Sequence, residues 1–90
     1  MDCILSIDSG LTVTKAVLFD LKGKQLGVVR KNVRQLMPHP RHVERDMDDL
    51  WTQTASAIRE VIAAVGIDAG EILAVAATAH GDGIYLLDEE

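Results

Sequence analysis

Several residue types are scarce in this chain, and each shortage removes a class of protein. The single cysteine, Cys3, allows neither an internal disulfide nor a thiolate zinc cage. Basic residues are outnumbered, 9 Lys and Arg against 14 Asp and Glu, for a formal net charge of −5. A general binder of phosphate backbones needs a basic face, so no nucleic-acid partner is expected. No apolar run approaches the roughly 18 residues needed to cross a bilayer. The start, Met1-Asp2-Cys3-Ile4-Leu5, lacks a basic leader region, and Ser6 and Asp8 interrupt its apolar stretch. Neither a signal peptide nor a membrane partner is expected.

What is present suffices for a core, with 48% of residues hydrophobic. Ninety residues make one small domain at most. A chain of that length buries only about 60–65% of its unfolded surface. The composition therefore predicts a cytoplasmic α/β domain that is either marginal or part of something larger.

Residues 3–7 form a short apolar run that predicts a strand ending at Asp8. Ser9-Gly10-Leu11-Thr12 reads as a tight turn. Residues 15–19 are apolar on both faces, as in a covered sheet. The Asp20-Leu21-Lys22-Gly23-Lys24 stretch has hairpin chemistry, and residues 25–33 resume as a half-exposed third strand. Both prolines and two histidines fall in residues 36–43, which predicts a connection without regular structure. A helix starts at the N-cap Asp46, with Asp48 and Asp49 near its positive end, and stops at Gly66. Its apolar stripe comprises Met47, Leu50, Trp51, Ala55, Ile58, Val61, Ile62 and Val65, so Met47 and Trp51 are expected in the core. Asp68 and Glu71 have capping-box spacing for a single further turn. Residues 72–77 predict a fourth strand, 78–83 a polar loop and 84–87 a fifth strand. The order is β-β-β-α-β-β, a mixed sheet with one covering helix.

The first turn carries the chemistry. Gly10 lets main chain approach a ligand, and consecutive N–H groups in such a turn form an anion-binding concavity. Thr12 and Thr14 can add hydroxyl donors, and Lys15 a point charge for a phosphate. Asp8, at the strand end, suits Mg²⁺ held through water. The same Asp-x-Gly pattern also suits a plain hairpin.

Asp8-x-Gly10-x-Thr12-x-x-Lys15, followed by Ala16-Val17-Leu18-Phe19-Asp20, resembles the first phosphate motif of the FGGY carbohydrate kinases. Val43-Glu44-Arg45-Asp46 before Leu50-Trp51 resembles the acidic segment ahead of that family's first helix. Ala79-His80-Gly81-Asp82-Gly83 is similar to the loop of L-xylulose kinases and related pentulose or tetritol kinases. The resemblance covers essentially the whole chain. It implies an α/β, ribonuclease H-like fold of the actin/Hsp70/sugar kinase superfamily. Residues 1–90 would then be the N-terminal part of the first domain, an incomplete domain inactive by itself.

The resemblance also implies ATP and Mg²⁺ as cofactors and a sugar, a ketopentose such as xylulose, as substrate. Asp8, Gly10, Leu11, Thr12 and Lys15 would bind the nucleotide, Asp8 the metal, and Ala79, His80 and Asp82 the sugar. The catalytic base is expected from the remainder of the kinase chain, and a homodimer stays open. Leu11 stands where the family usually has Thr, and Val13 where Ser or Gly is common. These changes keep the backbone donors and lose hydroxyl contacts.

Two other functions share this sheet. A ribonuclease H-like metal-dependent nuclease needs a second carboxylate beside Asp8, and Glu60 on the helix is its candidate. A non-catalytic actin- or Hsp70-like ATP-binding module would use the same phosphate turn, although the residues at 80–83 favour a sugar. His39 and His42, three apart, lack a third ligand for a metal and read as solvated loop residues.

Overall fold

The computed structural model describes residues 1–41, 43–79 and 81. The expected strand at 84–87 and residues His42, His80 and Asp82 lie outside the described residues.

Four strands form one sheet in the order β3-β2-β1-β6: β1 (Cys3–Ser9), β2 (Val13–Asp20), β3 (Gln25–Asn32) and β6 (Ile72–Ala79). The first three are antiparallel neighbours, whereas β6 runs parallel to β1, so the sheet is mixed. Between β3 and β6 the chain passes through β4 (Gln35–Leu36), β5 (Glu44–Arg45) and the helix α1 (Met47–Val65). This is the predicted β-β-β-α-β order over the described residues.

Local chemistry fixes the connections. Asp20 Oδ1 accepts from the N–H groups of Lys22 and Lys24, both at 2.9 Å, and ties the β2–β3 hairpin. Asp46 caps α1 by accepting from Asp48 N–H at 2.9 Å and Asp49 N–H at 3.2 Å. Gly66 ends the helix in the left-handed region at φ 80°, which side chains disfavour, and its N–H donates to the Ile62 carbonyl at 2.9 Å.

Alternation along the strands divides the sheet into two faces. Cys3, Leu5, Ala16 and Leu18 point toward α1, where they are buried with Ala57 and Val61. Ile58, Ile62 and Val65 pack at the margin of this core. Gly27 lets the helix settle onto β3, because a Cβ there would stand 2.7 Å from Val65 Cγ2. The helix packs on β2 and β3. At the other edge, Leu73 and Val75 of β6 are about 60% exposed, as expected where one helix cannot cover a whole sheet.

Four local expectations need correcting. Residues 36–43 are not simply a connection: Gln35 pairs with Arg45 and Leu36 with Glu44 in a two-stranded antiparallel ribbon across its ends. Met47 is only half-buried and outside the core, and Trp51 is not core either, being 69% exposed. It stands on the flank of the helical stripe, about 60° around the axis from Thr54, which faces the sheet. The turn at Ala69–Glu71 forms, but Asp68 gives it no side-chain cap. Glu71 instead pairs with the amino terminus at 3.2 Å, raising the pKa of that amine through hydrogen bonding and charge.

Candidate functional site

The turn between β1 and β2 is braced from several sides. Gly10 N–H donates to the Val13 carbonyl at 2.9 Å, and a Cβ on Gly10 would sit 3.1 Å from that same oxygen. Val33 N–H, just past β3, donates to the Thr12 carbonyl at 2.8 Å. Arg45 Nη2 donates to the Gly10 carbonyl at 2.6 Å. Carbonyls at 10 and 12 are thus held by protein groups. Leu11 and Thr12 lie outside the strands and are exposed, and among the described residues their N–H groups have no acceptor. Two unclaimed consecutive amides on a fixed turn suit an anion.

Asp8 and Lys15 are cross-strand partners, and their side chains form an ion pair at 3.4 Å. Because Leu5 and Thr14 face the helix, alternation sends Asp8 and Lys15 to the opposite, open face. Both remain partly accessible, at 44% and 35% side-chain exposure. A phosphate and a cation reaching the mouth of the turn would meet a carboxylate and an ammonium side by side.

Thr14 does not join them. It is fully buried under α1, its hydroxyl 3.3 Å from that of Thr54, which itself donates to the Leu50 carbonyl. The expectation of a hydroxyl donor at position 14 is therefore wrong, because Thr14 has the opposite strand parity from Lys15. Thr12, exposed in the turn, keeps its hydroxyl available.

The strand β6 brings Thr78 and Ala79 to the same place. Thr78 pairs with Asp8 and Ala79 with Ser9, so the carboxyl ends of the parallel strands β1 and β6 finish together. Open α/β sheets commonly bind ligands beyond such ends. Ala79 is exposed there.

A site for Mg²⁺ requires little from the protein, since this ion keeps several waters and takes one or two carboxylates plus substrate phosphates. Asp8 fits that demand as a half-exposed carboxylate next to the anion-binding turn. Among the described residues no group of three or more His, Cys, Asp or Glu side chains could hold a metal alone. Glu60, the carboxylate a nuclease would need, is engaged elsewhere. It pairs with Lys31, accepts from Ser56 Oγ at 3.2 Å, and has its pKa lowered chiefly by the hydrogen bond from Lys31. It belongs to the helix side of the sheet, whereas Asp8 faces the open side.

The FGGY family of carbohydrate kinases, N-terminal domain, matches residues 3–90. The chain belongs to the FGGY family. A protein named "Probable L-xylulose kinase" from Pasteurella multocida is 40% identical over 90 residues, all of this chain and 19% of its own length. A glycerol kinase from a Marinomonas species is 36% identical over 85 residues, 94% of this chain and 17% of its own. In three dimensions the chain is similar to the xylulose kinase from Rhodospirillum rubrum. The TM-score is 0.74 at 20% identity, over 86% of this chain and 16% of that one. The chain thus spans about a fifth of the length of the curated relatives it matches. The ribonuclease H-like fold expected of this FGGY segment is borne out.

Arg45 is the neighbour of this turn that sequence reasoning passed over. It stands in the acidic segment before the helix, and its hydrogen-bond acceptor is a backbone carbonyl 35 residues away. Nothing in the side-chain pattern marks such a pairing.

Proposed function

We propose that the chain is the N-terminal part of the first domain of a cytoplasmic carbohydrate kinase. The whole enzyme transfers the terminal phosphoryl group of ATP to a hydroxyl of a small sugar, a ketopentose such as xylulose in the favoured case. The observation that carries this reading is the braced Gly10 turn with Asp8 and Lys15 paired at its mouth on the open face. Family membership supports it.

In this reading the N–H groups of Leu11 and Thr12 receive phosphate oxygens, Gly10 keeps the main chain tight, and Lys15 offsets their charge. Asp8 would hold Mg²⁺, and the ion would supply neutralisation of the charge on the phosphates. Catalysis rests on positioning and on fixed dipoles rather than on covalent chemistry. Ala79, His80 and Asp82 line the sugar site, where donors and acceptors matched to adjacent hydroxyls reject ill-fitting sugars. Ala79 stands beside Ser9, within reach of the same strand ends. The base that takes the sugar's proton comes from a later segment, so residues 1–90 alone are inactive.

Release of ADP by the full-length protein, supplied with MgATP and either xylulose enantiomer or glycerol, tests the proposal. Xylulose-dependent turnover is expected. Glycerol is the second acceptor to try, because a glycerol kinase is among the similar relatives. ATP turnover that no sugar accelerates would refute the assignment.

A further inference from the structure

We infer that Arg45 is a positioning residue for the phosphate turn, setting the direction of the Leu11 amide and lending it charge. The inference rests on the proposed role of that turn in nucleotide binding.

The geometry starts from the planar peptide between Gly10 and Leu11. In a trans peptide the carbonyl and the N–H point in opposite directions, and the structure contains no cis peptide. Arg45 Nη2 holds the Gly10 carbonyl at 2.6 Å. The Leu11 N–H must therefore point away from the guanidinium, and it meets no acceptor among the described residues. A rotation of this peptide would turn the carbonyl toward the incoming anion, and breaking the Arg45 bond is what such a rotation requires.

The anchor is itself firmly placed. Arg45 is the last residue of β5, paired with Gln35 of β4, and Asp46 directly after it caps α1. Arg34, next to that ribbon, donates its N–H to Asp49 Oδ2 at 3.1 Å and places its guanidinium 3.7 Å from Asp46 Oδ2. The helix start, the ribbon and the end of β3 thus form a frame, and Arg45 is its arm to the turn. Hydrogen bonds in series polarise one another. A cation on the Gly10 oxygen makes the Leu11 N–H a stronger donor and raises the local potential for a phosphate. Arg45 Nε is buried and has no partner among the described residues, so no bond through that atom competes with the one to the Gly10 carbonyl.

Equilibrium binding to the full-length protein tests this, with MgADP and adenosine as probes. Adenosine lacks the phosphates the turn would hold. Arg45→Met is expected to weaken MgADP about tenfold, as befits a lost hydrogen bond to a charged group, while adenosine binds as before. Arg45→Lys, with one cationic donor, is expected to recover part of the loss. Equal weakening of both ligands would reduce Arg45 to a structural residue and overturn the inference. So would wild-type MgADP affinity in Arg45→Met. If Arg45→Met does not fold, Arg45→Lys decides: MgADP weakened a few-fold against unchanged adenosine supports the role, and an unaltered ratio overturns it. A wild-type protein that binds MgADP no better than adenosine instead overturns the phosphate turn itself.

Discussion

The two faces of this sheet use the same strands for opposite ends. Toward α1, Cys3, Leu5, Thr14, Ala16 and Leu18 are sealed, with exposures of 0–4%. Toward the open side, Asp8 and Lys15 are only partly covered, and they meet beside a turn whose Leu11 and Thr12 amides have no acceptor among the described residues. A strand period of two makes the division automatic. At the turn end of β2, Lys15 on the open face stands between the buried Thr14 and Ala16. Stability and chemistry are adjacent in sequence and separated by the thickness of one sheet.

Substitutions on the two faces can break that comparison. The largest effect belongs to the sealed face. Leu18→Ala removes a fully buried side chain and is expected to cost about 2–5 kcal/mol. Native-state hydrogen exchange of β2 amides in the full-length protein would read the loss. Nucleotide affinity in the fraction that stays folded should change little. Gly27→Ala comes next, since the new methyl would clash with Val65 in the helix interface. Overpacking of that kind costs about 1–3 kcal/mol, and the same exchange experiment on α1 would show it. An unchanged helix would mean that α1 can shift without penalty.

On the open face the signs reverse. Lys15→Ala is expected to weaken MgADP about tenfold while leaving exchange protection of β2 near wild type, because its ion pair with Asp8 is half exposed. A protein that loses protection but keeps nucleotide affinity would show that Lys15 is structural. The smallest effect comes from acid. Glu60 has its pKa lowered chiefly by the Lys31 hydrogen bond, and Asp49 chiefly by the Arg34 backbone N–H. A carboxylate with a lowered folded pKa stabilises above its unfolded value, and that contribution is lost as pH falls through the folded value. Protection of α1 should therefore weaken below about pH 4, modestly and less so in high salt. A loss that appears instead as pH rises into the alkaline range would point to the amino terminus, whose pairing with Glu71 raises its pKa and stabilises only while the amine stays charged.

Much of this was legible beforehand, for local reasons. Asp46 and Gly66 bound the helix because capping depends on the few residues at each end. The Asp20 hairpin closes on its own neighbours. The turn proposed to hold phosphate, too, is marked by residue types close in sequence. Trp51 misled because helical periodicity marks a stripe without saying how far the underlying sheet extends. Thr14 misled because its hydroxyl suits phosphate and buried hydrogen bonding equally, and the choice depends on which strand face the helix covers. Arg45 lies in the family-like segment before the helix, but its pairing with Gly10 gave no signal, since every residue offers a carbonyl and none is distinguishable as an acceptor in sequence.

The sequence by itself determined the order of the four sheet strands and the helix, the ends of that helix and the residue types of the turn between β1 and β2, all of which follow from short-range patterns. Only the tertiary structure decided which side of the sheet α1 would cover. With that choice Thr14 became core and Lys15 accessible, Glu60 was separated from Asp8, and Arg45 came to hold Gly10. The physical reason is that faces and long-range hydrogen bonds arise from packing between elements, and such packing is encoded in no single stretch of residues.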